Sequence, residues 1–298
     1  MTLTELRGVY PAMTTPFHED GSIDFETLRT DAQRLEDAGV DGLVPVGSTG
    51  ESATLSHDEH IEVVEAVIDA TDVPVIAGSG SNNTREALSL SRRSADAGAD
   101  ALLLISPYYN KPEPEGMYEH YRTIADEVDV PQIVYNVPSR TGRNIEVETT
   151  VELASHPNVL GYKAASGDLN QVSEVVERTR DEDFYVLSGD DGLTLPVLSV
   201  GGTGTISVVA NVEPRRTVDL VHSALAGDFE RAREVHHELG PLMRQLFAET
   251  NPIPVNEAME LRGHAPGHVR LPLTRMQEAG REELRRILEA LEPVEGER

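Results

Sequence analysis

Lys163 stands in the apolar run Val-Leu-Gly-Tyr-Lys-Ala-Ala of residues 159–165, an unusual place for a cation. Such neighbours withhold water from an ammonium and lower its pKa, leaving a free amine able to attack the carbonyl of a keto acid and form a Schiff base. Of the 25 lysines and arginines in the chain, only Lys111 and Lys163 are lysines. A guanidinium stays charged and is no nucleophile, so a lysine kept here among so many arginines points to chemistry that arginine cannot perform. The competing account is an ordinary ion pair at a strand end.

Tyr135 and Tyr109 are candidate proton carriers, since a phenol can shuttle a proton during carbinolamine formation and carbon–carbon bond making when a hydroxyl links it to solvent. Ser48 is the candidate link. Half-buried packing is the plain alternative for each tyrosine. Gly47-Ser48-Thr49-Gly50 places two hydroxyls and closely spaced amides before a helix start, a cradle suited to a carboxylate. Arg140 follows a strand and a Pro-Ser turn, where it could clamp a second carboxylate bidentately or form a surface salt bridge. His57 and His60 have helical spacing but no third histidine at a strand end, and the adjacent His236 and His237 diverge on a helix. Neither a metal nor another cofactor is expected.

Eight short apolar, β-branched runs recur at 8–13, 42–46, 73–77, 101–105, 132–135, 159–163, 184–187 and 204–208, each predicting a buried parallel strand. Between them, 25–38, 57–70, 84–97, 117–128 and 172–178 carry the 3.6-residue apolar spacing of helices, several closing on Ala-Gly or Asp-Val-Pro. Ser56 and Glu59 form a capping box before the second helix. This alternation predicts an α/β fold, a (β/α)8 TIM barrel. An open doubly wound sheet would want Gly-x-Gly-x-x-Gly after the first strand, and residues 8–17 have none. The candidate residues follow strand ends, so they should meet on one rim of the barrel. From Pro214 to about Leu291 the pattern is helical only. The expected division is a barrel over 1–211, with its closing helix running beyond, and a C-terminal helical region over 212–298 packed on it.

With 298 residues and 39% hydrophobic content, the chain suits one large domain with an appendage. No run suits a membrane span and the N-terminus lacks a leader pattern, so a soluble, cytoplasmic protein is expected. Cysteine is absent, which removes disulfides, thiolate ligands and a cysteine nucleophile. Acidic residues outnumber basic ones 52 to 25, for a formal charge of −27, which repels nucleic acid and anionic membranes. Molar salt shortens the Debye length to about 3 Å and relieves the self-repulsion, so the composition reads as halophilic.

At these residues the chain resembles the dihydrodipicolinate synthase / N-acetylneuraminate lyase family. The resemblance runs from Tyr10-Pro-Ala-Met-Thr-Thr-Pro-Phe17 to Asn251-Pro-Ile-Pro-Val-Asn256 and Leu271-Pro-Leu273. Its most specific stretches are Gly47-Ser-Thr-Gly-Glu-Ser-Ala-Thr-Leu55, Pro107-Tyr-Tyr-Asn-Lys-Pro112, Tyr135-Asn-Val-Pro-Ser-Arg-Thr-Gly142, Leu187-Ser-Gly-Asp-Asp191 and Ile206-Ser-Val-Val-Ala-Asn211. The resemblance implies condensation of pyruvate with aspartate-semialdehyde in the diaminopimelate and lysine branch. It implies Lys163 as the Schiff-base lysine, Tyr135 as general acid/base, and Ser48 with a neighbouring subunit's Tyr109 as the rest of a proton relay. It assigns the pyruvate carboxylate to Thr49, the semialdehyde carboxylate to Arg140, and the pocket lining to Gly189 and the Ile206 carbonyl. It also implies a homotetramer, a dimer of dimers. The positions matching a lysine-inhibition site in the family are Ser52, Ala53, His57, His60, Asn82, Glu86 and Tyr108; capping and surface roles are the alternative for these.

Two departures bear on the substrate: Ser48 where the synthases usually carry Thr, and Ala164 where many carry Glu. A lyase acting on 2-keto-3-deoxy sugar acids, or one like the N-acetylneuraminate lyases, would keep Lys163 and Tyr135. Arg140 favours an acidic aldehyde over a polyhydroxylated one. A non-catalytic keto-acid sensor on the same barrel would be expected to lack the lysine or the tyrosine, and both are present.

Overall fold

A computed structural model of the chain describes residues 3–291. Residues 1–2 and 292–298, the outer ends of the expected 1–211 and 212–298 regions, lie outside the described residues. Seven parallel strands form one curled sheet: β1 (Gly8–Pro11), β2 (Ile76–Gly78), β3 (Ala101–Ile105), β4 (Gln132–Asn136), β5 (Val159–Ala164), β6 (Tyr185–Ser188) and β7 (Gly204–Ser207). Their order is β1-β7-β6-β5-β4-β3-β2. The predicted strand at 42–46 fills the seam between β1 and β2, but only as bridges from Ala12 to Val44 and from Leu43 to Val75. Pro45 has no N–H to give to a ladder, which shortens the pairing. The carbonyl of Pro45 still accepts from Gly78 at 3.1 Å, and that of Val44 from Met13 at 3.0 Å, so the ring closes as a (β/α)8 barrel.

Helices alternate with the strands: α1 (Phe25–Asp37), α2 (His57–Ile68), α3 (Thr84–Asp96), α4 (Pro114–Glu127), α5 (Pro138–Thr141), α6 (Val147–Ala154), α7 (Leu169–Thr179), α8 (Thr194–Ser199) and α9 (Pro214–Leu225). The expected capping box at α2 is present in both directions. Helix α4 starts earlier than the apolar spacing predicts because Pro114 takes the first helical position, where a missing N–H costs nothing. Helix α9 packs on β1, and α10 (Phe229–Gln245), α11 (Ile253–Arg262) and α12 (Glu278–Ala290) follow it as a helical layer.

The two faces of the strands fill two cores. Tyr10, Val44, Ile76, Leu103, Ile133, Tyr135, Leu187 and Ile206 pack in the barrel interior. Val134, Tyr162, Ala164 and Val186 join the larger core beneath the helices. Side chains alternate along a strand, so with Tyr162 and Ala164 facing the helices, Lys163 must face inward. Tyr135 pairs with Lys163 in the β4–β5 register, which sets both on one rim.

Candidate active site

Lys163 is 6% exposed, and its Nζ lies 4.1 Å from the centre of the Tyr135 ring. Burial pulls its pKa down to about 7; the Arg140 charge adds to this, while Asp191 opposes it. At neutral pH a substantial share of the amine is therefore unprotonated, where an ordinary lysine would be almost wholly charged. Burial also raises the Tyr135 phenol, and a hydrogen bond with Ser48 moderates that rise. A cavity of about 990 Å³ brings together Ser48, Thr49, Tyr135, Arg140, Lys163 and Gly189. Phenol, amine and hydroxyl thus share one wall, a geometry suited to carbonyl addition with proton transfer.

The turn carrying Ser48 and Thr49 is held in a strained frame. Val46 has φ 51° and Glu51 φ 54°, a left-handed conformation that is costly for a β-branched valine. Gly78 makes room for that turn, since a Cβ there would lie 2.4 Å from the Val46 carbonyl oxygen. Thr49 is buried, and its Oγ1 accepts a 3.0 Å hydrogen bond from Nδ2 of Asn251. That bond leaves the threonine proton free to be donated into the cavity. Arg140 donates 2.7 Å to the Asn251 carbonyl and keeps further N–H groups for the cavity.

Gly189 follows β6 and donates 2.7 Å to the Ala164 carbonyl; a Cβ there would come within 2.9 Å of both Cγ and Cε of Lys163. Ile206 is buried in the inner core and does not line the cavity through its side chain. Tyr109 is 86% exposed, with φ 69°, and within the single chain it does not reach the cavity.

A second cavity, of about 500 Å³, is lined by Ser52, Ala53, His57, His60, Glu86 and Tyr108; Asn82 does not line it. His57 pairs with Glu86 at 2.9 Å. His60 is buried and not on an exposed first turn: its Nε2 donates 2.6 Å to the Gly78 carbonyl, and burial lowers its pKa to about 4. The two cavities share Ser48, Tyr135 and Arg140 in their walls.

Two further positions at the site escape residue-by-residue reading of the sequence. Asp191 is buried beside the site, where it accepts from Ser207 Oγ at 2.5 Å and from the Val208 and Val209 amides at 3.0 and 3.1 Å. Asn251 ties Thr49 to Arg140 from the loop after α10. Both fall within runs that carry the family resemblance, Leu187–Asp191 and Asn251–Asn256, and that was their only signal.

Residues 5–291 match the Dihydrodipicolinate synthetase family. The chain belongs to that family. It is 74% identical over 293 residues to a 4-hydroxy-tetrahydrodipicolinate synthase of Haloarcula marismortui, with 98% of this chain and 96% of the relative covered. It is 70% identical to the corresponding synthase of Natronomonas pharaonis, covering 98% of this chain and all of the relative. A dihydrodipicolinate synthase of Acinetobacter baumannii, solved in complex with pyruvate, superimposes with a TM-score of 0.94 at 39% identity, over 96% of this chain and 99% of that one. Family membership explains why the turn, the phenol and the lysine meet on one rim although they lie far apart along the chain.

Proposed function

We propose that the chain is a lysine-dependent lyase that condenses pyruvate with aspartate-semialdehyde to 4-hydroxy-tetrahydrodipicolinate, the step that opens the diaminopimelate and lysine branch. Near-full-length identity of 74% to a synthase of that name supports the substrates. One observation carries the chemistry: a buried amine with a pKa of about 7, 4.1 Å from the Tyr135 ring on the wall of a large cavity.

In this reading the Lys163 amine adds to C2 of pyruvate and water leaves, giving a protonated Schiff base. Loss of a C3 proton yields an enamine, which bonds to the aldehyde carbon while the new alkoxide takes up a proton and the Schiff base on C2 is restored. The amino group of the condensed semialdehyde then attacks C2 and expels the Lys163 amine, which closes the ring and frees the lysine. Tyr135 moves these protons, with Ser48 and a neighbouring subunit's Tyr109 as the relay. Thr49 donates to the pyruvate carboxylate, its hydroxyl oriented by Asn251. Arg140 takes the semialdehyde carboxylate, and Gly189 and the Ile206 carbonyl line the pocket. A sugar-acid lyase would need neutral donors where Arg140 stands.

The exposed Tyr109 becomes useful only in an assembly, which fits a homotetramer built as a dimer of dimers. The second cavity is proposed as a lysine site in which Glu86 and the histidines meet the two ends of an amino acid. The −27 charge supports a halophilic protein. No helix among the described residues is long and apolar enough to cross a membrane, and a cytoplasmic location is proposed with the pathway. A barrel over 1–211 carrying the 212–298 region remains the proposed division.

Borohydride trapping with pyruvate, followed by mass mapping, tests the mechanism: an adduct on Lys163 is expected, and one elsewhere overturns it. Turnover of aspartate-semialdehyde against keto-deoxygluconate tests the second substrate.

A further inference from the structure

Arg244 lies in the last turn of α10 and lines the same cavity as Lys163 and Arg140. Arginines of this acidic chain are heavily committed: Arg178, Arg216, Arg231, Arg275 and Arg281 each hold two carboxylates. The Arg244 side chain makes no ion pair or hydrogen bond among the described residues. Gly240, one turn earlier, gives it room, since a Cβ there would lie 3.3 Å from Nη1 of Arg244. Glycine is a poor helix former, so this opening works against the helix that contains it.

The same cavity wall also carries Asp190 and Glu249, and the whole chain carries −27. A monoanionic keto acid approaching Lys163 meets a repulsive field, which lowers its local concentration at the mouth. An uncommitted guanidinium at that point reverses the field locally and offers a planar fork to a carboxylate. We propose that Arg244 is a substrate-capture residue that receives the carboxylate of pyruvate at the cavity mouth before it reaches Thr49 and Lys163. The inference rests on the reading of Lys163 as the Schiff-base lysine.

The test measures the rate of the borohydride-trapped adduct against pyruvate concentration in wild type, Arg244→Ala, Arg244→Glu and Arg244→Lys. Arg180→Glu serves as the control: it changes net charge equally at an exposed position outside the cavity, beside Asp181. The half-saturating pyruvate concentration should rise about tenfold in Arg244→Glu and less in Arg244→Ala, with an unchanged maximal rate and the adduct still on Lys163. Arg244→Lys should retain most of the affinity, Arg180→Glu should match wild type, and the Arg244→Glu deficit should shrink between about 0.2 and 2 M potassium chloride. Unchanged half-saturation in Arg244→Glu, or an equal rise in Arg180→Glu, overturns the capture role. A wild-type adduct away from Lys163 instead overturns the underlying mechanism, so the two failures are distinct. Melting temperatures of all variants in 2 M potassium chloride check that each is folded.

Discussion

Gly189 lies against the stem of Lys163, and any Cβ at that position would come within 2.9 Å of its Cγ and Cε. Gly189 cannot back away, because its amide is tied to the Ala164 carbonyl, so the lysine stem would have to shift instead. Gly189→Ala should therefore displace the amine. Overpacking of this kind costs about 1–3 kcal/mol, and the rate of pyruvate adduct formation should fall at least tenfold while the circular dichroism spectrum stays native. A variant with wild-type trapping kinetics would show that the lysine stem moves aside without loss.

The depressed Lys163 pKa makes one prediction for activity and one for stability, both rising with pH but over different windows. Adduct formation should rise with pH through about 7, where the ammonium gives up its proton, and then level off. An unfolded lysine titrates near 10.5, so between about 7 and 10.5 the unfolded chain binds a proton that the folded chain does not, and stability rises with pH over that window. Below it the cost of burying the ammonium is present in full. Lys163→Met should be inactive yet melt higher than wild type at pH 6, with the gap closing toward pH 10. A methionine variant less stable at pH 6 would contradict this account.

Asp191→Asn keeps the shape but removes a negative charge that favours the protonated lysine. The lower limb of the pH–rate profile should move to lower pH. At least one of the three bonds to Ser207, Val208 and Val209 should weaken, because an amide nitrogen cannot accept, at a cost of about 1–3 kcal/mol in urea unfolding. An unmoved pH limb would remove Asp191 from the electrostatics of the site.

With −27 charges on 298 residues, thermal melts should show a higher midpoint in 2 M than in 0.2 M potassium chloride. Equal midpoints would remove the halophilic reading. The buried carboxylates with two arginine partners, such as Glu213 and Glu257, should feel salt less than exposed pairs such as Arg92–Glu127.

Much of this site is legible in sequence because strand periodicity has only two phases: an apolar run that buries Tyr162 toward the helices leaves Lys163 pointing inward. What stays hidden is long-range and irregular. Pro45 weakens one strand to a pair of bridges without breaking the barrel, since its carbonyl and its neighbours' groups still pair. The helical spacing of His57 and His60 says nothing of the Gly78 carbonyl that draws one of them inside. Asn251 is separated from Thr49 by 202 positions, and no local pattern marks an amide that acts across such a span. The left-handed turn at Val46 is likewise hidden, because valine is a residue that ordinarily avoids it.

The bridge from Asn251 to both Thr49 and Arg140 has a consequence for biosynthesis. Chains emerge from the ribosome N-terminus first, so every barrel strand is outside the exit tunnel before the asparagine that finishes the carboxylate pocket has been added. A nascent barrel would then hold a nucleophilic lysine while lacking the amide that orients its acceptor threonine. On the proposed function, the pocket that receives the keto acid is thus completed only after the last barrel strand has been made, by the segment that leads into the helical layer.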